Sequence, residues 1–189
     1  MTTDRASVLR ALHVPGRPLV LPNVWDAASA RAVRQAGFPA VATSSAAVAR
    51  TLGHEDGERT PVAEMLAAVA RVAAAVDVPV TADFERGYRL KPAELAERLL
   101  ATGAVGCNLE DSLPDTGELV DPGEQADFLA EVRAAAGPGL VINARVDVYL
   151  AGRPSREEAV RRGRRYLEVG GPTVCTPSAR PARTRSGRW

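Results

Sequence analysis

Three carboxylates, Asp83, Glu85 and Glu110, lie in the segments TADFERGY and NLEDS, each directly after a run of small or β-branched apolar residues. Arg145 follows another such run, in NARVD. Acids crowded into one region repel strongly unless a cation stands among them. Hard oxygen ligands that leave positions open to water favour Mg²⁺ or Mn²⁺. A guanidinium beside them would grip a substrate carboxylate through two parallel hydrogen bonds. Backbone N–H groups around Ser44 and Ser45, in VATSSAAV, would hold another anionic oxygen. Such a set would stabilise an enolate. Taken singly, each acid reads as well as a solvated loop charge or a helix cap; the joint pattern is much harder to explain that way.

Other chemistries find less support. There are two histidines, His13 near the terminus and His54 in a polar stretch, so no His-rich zinc set is expected. Of 24 basic residues only Lys91 is a lysine, and it stands just before Pro92 at the start of a helix. A Schiff-base lysine, which needs a depressed pKa, is therefore not expected. Cys107 and Cys175 do not make a disulfide scaffold.

The elements that would position these residues alternate along the chain. Apolar runs are read at Leu19–Val24, Ala40–Thr43, Val78–Ala82, Val105–Leu109 and Leu140–Ala144, with a possible sixth at Thr173–Cys175. Helical stretches are read at about Asp26–Ala36, Pro61–Val76, Pro92–Ala101, Glu124–Ala136 and Arg156–Val169. Strands alternating with helices of this length predict parallel βαβ units, and near-continuous apolar strands predict a sheet buried on both faces. Pro61, Pro92 and Pro122 suit first helical positions. Asp121 with Glu124, and Ser155 with Glu158, read as capping boxes. Gly37, Gly103, Gly137 and Gly170 read as helix stops. In such folds chemistry gathers at the C-terminal ends of the strands. Those ends carry Asn23, Trp25 and Asp26; Ser44 and Ser45, then His54, Glu55, Asp56 and Glu58; Asp83 and Glu85; Asn108, Glu110, Asp111 and Ser112; Asn143, Arg145 and Asp147.

The expected fold is α/β, a (β/α)₈ TIM-type barrel that looks incomplete, with five to six β/α units. A full barrel takes roughly 200 to 250 residues, and this chain has 189. The expected division is a partial barrel over residues 1–171 and an Arg-rich irregular tail over 172–189. A net charge of +1 calls for neither nucleic acid nor an anionic membrane. No apolar run approaches the roughly 18 residues of a spanning helix, and the first residues lack the apolar core of a signal peptide. A cytoplasmic protein is the expectation.

Five segments together resemble the isocitrate lyase / phosphoenolpyruvate mutase family. LPNVWDAASARAVRQAGFPAVATSS resembles its opening, where an aromatic–Asp–Ala segment precedes a strand with a Ser-containing turn. GHEDGE resembles the Gly-x-x-Asp segment that follows, TADFERGY the Asp-x-Asp/Glu-x-Gly-Tyr metal segment, NLEDS the Glu-Asp segment and INARVDVYL the Ala-Arg-x-Asp segment. The resemblance runs from about residue 5 to 170, with the motifs in order. It implies that Asp83 approaches Mg²⁺ directly, with Glu85, Glu110 and Asp56 near it largely through water. It implies that Ser44, Ser45 and Arg145 hold the substrate's carboxylate and oxo groups, with Trp25 packed beside the site. Arg145, Asp56 and Glu110 are the expected catalytic residues. The chemistry implied passes through an enolate of a small 2-oxo or 2-hydroxy acid, in a protein that is usually a tetramer exchanging a C-terminal helix.

Two departures qualify the resemblance. Isocitrate-type lyases carry Lys-Arg-Cys-Gly-His after the Glu-Asp pair, and mutases carry Lys and Asn there; this chain has SLPDTGELVDP. The acid/base therefore stays unassigned. Family members also continue past the Gly-Gly pair with a sixth strand and two more β/α units, whereas the pattern here is lost at about Pro172. A C-terminally shortened member is the expectation. The leading expectation is a carbon–carbon lyase resembling methylisocitrate lyase or oxaloacetate decarboxylase. The alternatives are a phosphonopyruvate-type mutase or hydrolase, and an inactive shortened member.

Overall fold

The computed structural model describes residues 4–152, 155–170 and 173–178. Six parallel strands stand in sequence order: β1 (Asn23–Val24), β2 (Val41–Thr43), β3 (Val80–Asp83), β4 (Gly106–Glu110), β5 (Val141–Val146) and β6 (Val174–Pro177). The helices are α1 (Arg5–Leu12), α2 (Ala27–Gln35), α3 (Ser45–Thr51), α4 (Val62–Ala75), α5 (Pro92–Ala101), α6 (Pro122–Ala136) and α7 (Arg156–Glu168). The result is a partial α/β barrel.

Alternation along each strand separates two faces. One face carries Ala82, Phe84, Cys107, Leu109, Ile142 and Ala144, which pack with Leu95 and Leu99 of α5 and Leu129 of α6 in the main core. The other carries Thr81 and Asp83, Gly106, Asn108 and Glu110, then Asn143 and Arg145, brought side by side by the register. This inner face is polar. Asn143 donates to Asn108 and to Thr176 across three neighbouring strands, 2.9 Å each.

The inner face is closed below by α1, which the sequence reading did not anticipate. Leu9 is fully buried with Ala40 and Val141. A Cβ on Gly106 would lie 2.7 Å from Leu9 Cδ2 and 2.9 Å from Thr81 Cβ, so this strand admits only glycine there without displacement.

Other boundaries moved as well. The expected strand Leu19–Val24 shrinks to Asn23–Val24. Pro18 and Pro22 bring no N–H to a ladder, and Leu19 and Leu21 pack against the α1 cluster instead. The segment after Ser44, outside the helical stretches expected from sequence, is helix α3 with Ser44 as its N-cap. Pro61 caps α4 from just outside, while Pro92 and Pro122 take first-turn positions as expected. The Asp26 cap forms a reciprocal box with Ser29. Asp121 and Ser155 accept from backbone N–H groups of their helices, including those of Glu124 and Glu158. β6 runs to Pro177, so the sheet extends past residue 171. The expected tail beyond residue 178 lies outside the described residues.

Candidate active site

The parallel register sets the C-terminal ends of β1 to β5 along one rim, and each contributes what the sequence reading placed there. Asp83 ends β3 and is nearly inaccessible. Its Oδ2 accepts from the backbone N–H of Ser45 at 3.2 Å and from Ser45 Oγ at 2.9 Å. Its own N–H donates to Thr43 Oγ1 at 3.0 Å. The other oxygen, Oδ1, is buried and accepts no hydrogen bond. Arg145 Nη1 stands 3.8 Å from it.

Arg145 faces three acids. Nη1 lies 2.5 Å from Glu110 Oε1, and Nε and Nη2 lie 2.8 and 3.1 Å from the two oxygens of Asp147. Burial alone would weaken its charge, but the hydrogen bonds to Asp147 and the nearby Glu110 and Asp83 raise its pKa. It remains a cation at any working pH. Glu110 is pushed up to about 9, first by burial, then by Asp83, Asp147 and Glu85, against the pull of Arg145. Four carboxyl groups, those of Asp83, Glu85, Glu110 and Asp147, thus act on one another around a single guanidinium.

Glu85 sits beyond the end of β3 with a left-handed backbone, φ 48°. Its carboxylate accepts from Tyr88 Oη at 2.7 Å and from the N–H of Glu58 at 2.8 Å. Glu58 in turn accepts from the N–H of Tyr88 at 2.6 Å. Glu58, Tyr88 and Arg89 share the left-handed conformation, with φ of 58°, 54° and 56°. Such residues are strained unless their surroundings hold them, and they concentrate at functional sites. This clasp ties the segment carrying Asp56 to the rim. Asp56 is exposed, and its charge, after burial, helps raise the Glu85 pKa.

The remaining expected residues lie on the same rim with looser roles. Trp25 follows β1 and is 43% exposed. Ser44 donates its N–H to the carbonyl of Val24 at 3.2 Å and caps α3. The N–H of Ser45, expected to face a substrate oxygen, is occupied by Asp83. His54 Nε2 stands 3.5 Å from Glu64 of α4.

Among the described residues no three His, Cys, Asp or Glu side chains stand together at metal-binding spacing. Glu85 is turned to Tyr88 and Glu58, and Glu110 to Arg145. Magnesium, however, is often held by one or two carboxylates with several waters. Asp83 Oδ1, which accepts no hydrogen bond, stands among crowded carboxyl groups and suits a cation held directly by one oxygen and through water by the others.

Sequence reasoning missed three residues that shape this site: Tyr88 in the clasp, and Arg162 and Tyr166 of α7 behind Asp147. The spacing Glu158, Arg162, Tyr166 is a helical stripe that could have drawn notice.

Comparison with known proteins accords with this geometry. The model of the phosphoenolpyruvate phosphomutase family matches residues 9–185. The oxaloacetate decarboxylase of Rhodopseudomonas palustris CGA009 is 31% identical over 178 residues, which cover 88% of this chain and 61% of that one. A phosphonomutase candidate from Burkholderia cenocepacia J2315 superposes with a TM-score of 0.86 at 42% identity, covering 93% of this chain and 75% of that one. A phosphonopyruvate hydrolase solved with oxalate and Mg²⁺ superposes with a TM-score of 0.85 at 27% identity, covering 98% and 65%. The chain spans 64% of the length of the first curated relatives it matches and 59% of the next. On the match over residues 9–185 and the partial parallel barrel, the chain belongs to the phosphoenolpyruvate mutase / isocitrate lyase family.

Proposed function

We propose that this chain carries the site of a Mg²⁺- or Mn²⁺-dependent lyase acting on a small 2-oxo or 2-hydroxy carboxylic acid through an enolate. The observation that carries the reading is Asp83 Oδ1, a buried carboxylate oxygen with no hydrogen-bond partner, beside a guanidinium. A buried carboxylate oxygen that accepts no hydrogen bond is costly, so its retention points to a ligand.

Asp83 would hold the cation directly, with Glu85 and Glu110 reaching it through water. The cation would supply positive charge against the developing enolate oxygen. Arg145 would take one substrate carboxylate with the Nη1 edge that now faces Glu110, while Asp147 keeps its other edge in place. Glu85, locked by Tyr88 and Glu58, would orient water, and Asp56 would lie across from it. Trp25 and the Ser44–Ser45 turn would bound the substrate on the β1–β2 side. Ser112, in the loop where lyases of the family carry their acid/base, is engaged with Asp147 at 2.8 Å. The family resemblance further supports a homo-oligomeric, cytoplasmic protein.

The carbon–carbon lyase reading, of the methylisocitrate lyase or oxaloacetate decarboxylase type, is supported by the decarboxylase relative. A phosphonopyruvate-type mutase or hydrolase is the second reading, favoured by the two structural likenesses above. Thermal unfolding of the purified chain alone, with Mg²⁺, and with Mg²⁺ plus oxalate tests what the two share, because a ligand of the folded state raises the midpoint. A cooperative melt that rises most with both present supports the site. A cooperative melt indifferent to both would refute it. Turnover of oxaloacetate or methylisocitrate against phosphonopyruvate then separates the readings.

A further inference from the structure

Behind Arg145 runs a chain of buried charges leading out to α7. Asp147 holds the guanidinium on its Nε and Nη2 edge and also accepts from Ser112. Asp147 lies just past β5, where the strand ladder no longer secures its N–H; that N–H donates to Asp111 Oδ1 at 2.7 Å. Asp111 Oδ2 accepts from Tyr166 Oη at 2.7 Å and from Arg162 Nη1 at 3.2 Å. Arg162 also donates to the carbonyl of Val120 at 2.9 Å and, through Nε, to Glu158 at 2.7 Å. Asp111 and Tyr166 have no exposed surface, and Arg162 is 5% exposed.

Along this chain the charges run positive, negative, negative, positive, from Arg162 through Asp111 and Asp147 to Arg145, and the two acids are joined through the main-chain N–H of Asp147. Paired buried charges are tolerable, yet well-packed apolar residues often serve stability as well or better. Stability alone is therefore a poor reason for this arrangement. Its geometry offers another. The chain is linear, its outer end is the partly exposed Glu158, and its inner end is the Arg145 Nη1 that faces the mouth of the site. By gripping one edge of the guanidinium it leaves the other aimed inward.

We propose that Arg162 and Tyr166 are positioning residues, which set the orientation of Arg145 toward a substrate carboxylate through Asp111 and Asp147. This rests on the reading of Arg145 given above. The two helix side chains never meet the substrate; they act on Asp111, which fixes the Asp147 main chain, which fixes the guanidinium plane.

The test uses Tyr166→Phe, which deletes one hydroxyl, and Arg162→Lys, which keeps the charge and loses the fork. The first readout needs no ligand. The Nε–H resonance of Arg145, assigned by its disappearance in Arg145→Lys, reports how firmly Asp147 holds it. Both variants should melt cooperatively yet exchange this proton with water on the order of tenfold faster, the scale of one hydrogen bond to a charged group. The second readout is calorimetric binding of oxalate in saturating Mg²⁺. Oxalate affinity should fall several-fold, roughly the loss of part of such a bond, while affinity for Mg²⁺ alone is unchanged. Wild-type exchange and wild-type oxalate affinity in both folded variants would overturn the proposal. Oxalate binding that is absent, or indifferent to Arg145→Lys, would instead sink the reading of Arg145, and the exchange measurement would still decide the positioning role. Should Tyr166→Phe fail to fold, Arg162→Lys carries both readouts.

Discussion

Replacing Glu110 with glutamine separates the charge of this residue from its shape. The side chain is only 12% exposed, and its pKa is pushed up to about 9, chiefly by burial. An ordinary glutamate stands at 4.5. Between these values the folded chain keeps a proton that the unfolded chain gives up. The folded state then binds more protons, so stability is complete below about 4.5 and is lost as the pH rises toward about 9. One such proton changes stability by at most about 1.4 kcal/mol per pH unit. From pH 6 to pH 8 the ceiling is therefore about 3 kcal/mol. Glutamine cannot ionise and resembles the protonated acid in size. Glu110→Gln should remove this slope and be more stable than wild type at pH 8, with little difference at pH 5. Urea unfolding in the presence of chelator, at pH 5, 6, 7 and 8, measures it. Glu85 and Glu58 are also raised by burial, so a residual slope should persist in both proteins, and the difference between the curves isolates Glu110. Added Mg²⁺ should flatten the wild-type slope, because metal binding displaces the proton. Parallel pH curves for wild type and variant would refute the reasoning.

Asp83→Ala should abolish the rise in melting midpoint caused by Mg²⁺, whereas Asp115→Ala, at an exposed contact with Arg89, should leave it intact; equal loss in both would count against the metal assignment. Gly106→Ala should destabilise by about 1 to 3 kcal/mol, as overpacking does, since its Cβ would meet Thr81 and Leu9; a chemical denaturation midpoint unchanged from wild type would show that α1 yields. Tyr88→Phe should weaken Mg²⁺-dependent oxalate binding and lower the metal-free melt, because buried Glu85 loses one of its two anchors; unchanged calorimetric affinity would remove the clasp from the site.

Much of the fold was legible because hydrophobic periodicity reports burial directly. The runs around Ala82, Cys107 and Ile142 send alternate residues into the core beneath the helix layer, and the residues between them line the polar inner face. Short or irregular elements were not legible. α3 is a seven-residue helix whose start, Ser44, also suits a turn. The Leu19–Val24 run looks like a strand by composition, but its prolines leave two residues in the ladder.

The candidate site divides in the same manner. Asp83, Glu110 and Arg145 could be named from sequence because a parallel β/α repeat delivers every strand's C-terminal end to one rim, and residue type then tells the chemistry. What each side chain touches depended on distant chain segments. Ser45 reaches Asp83 across 38 residues, and Tyr166 reaches Asp111 across 55. No local spacing encodes such contacts. The sequence by itself determined the order of the β/α units and the acids and arginine at their ends. The tertiary structure alone decided that Asp83 keeps an oxygen that accepts no hydrogen bond, that Glu85 is clasped by Tyr88 and Glu58, and that Asp147, which grips Arg145, is joined through Asp111 to α7. Hydrogen bonds and desolvation act through space, and only the closed packing of the sheet and its helices brings their partners within reach.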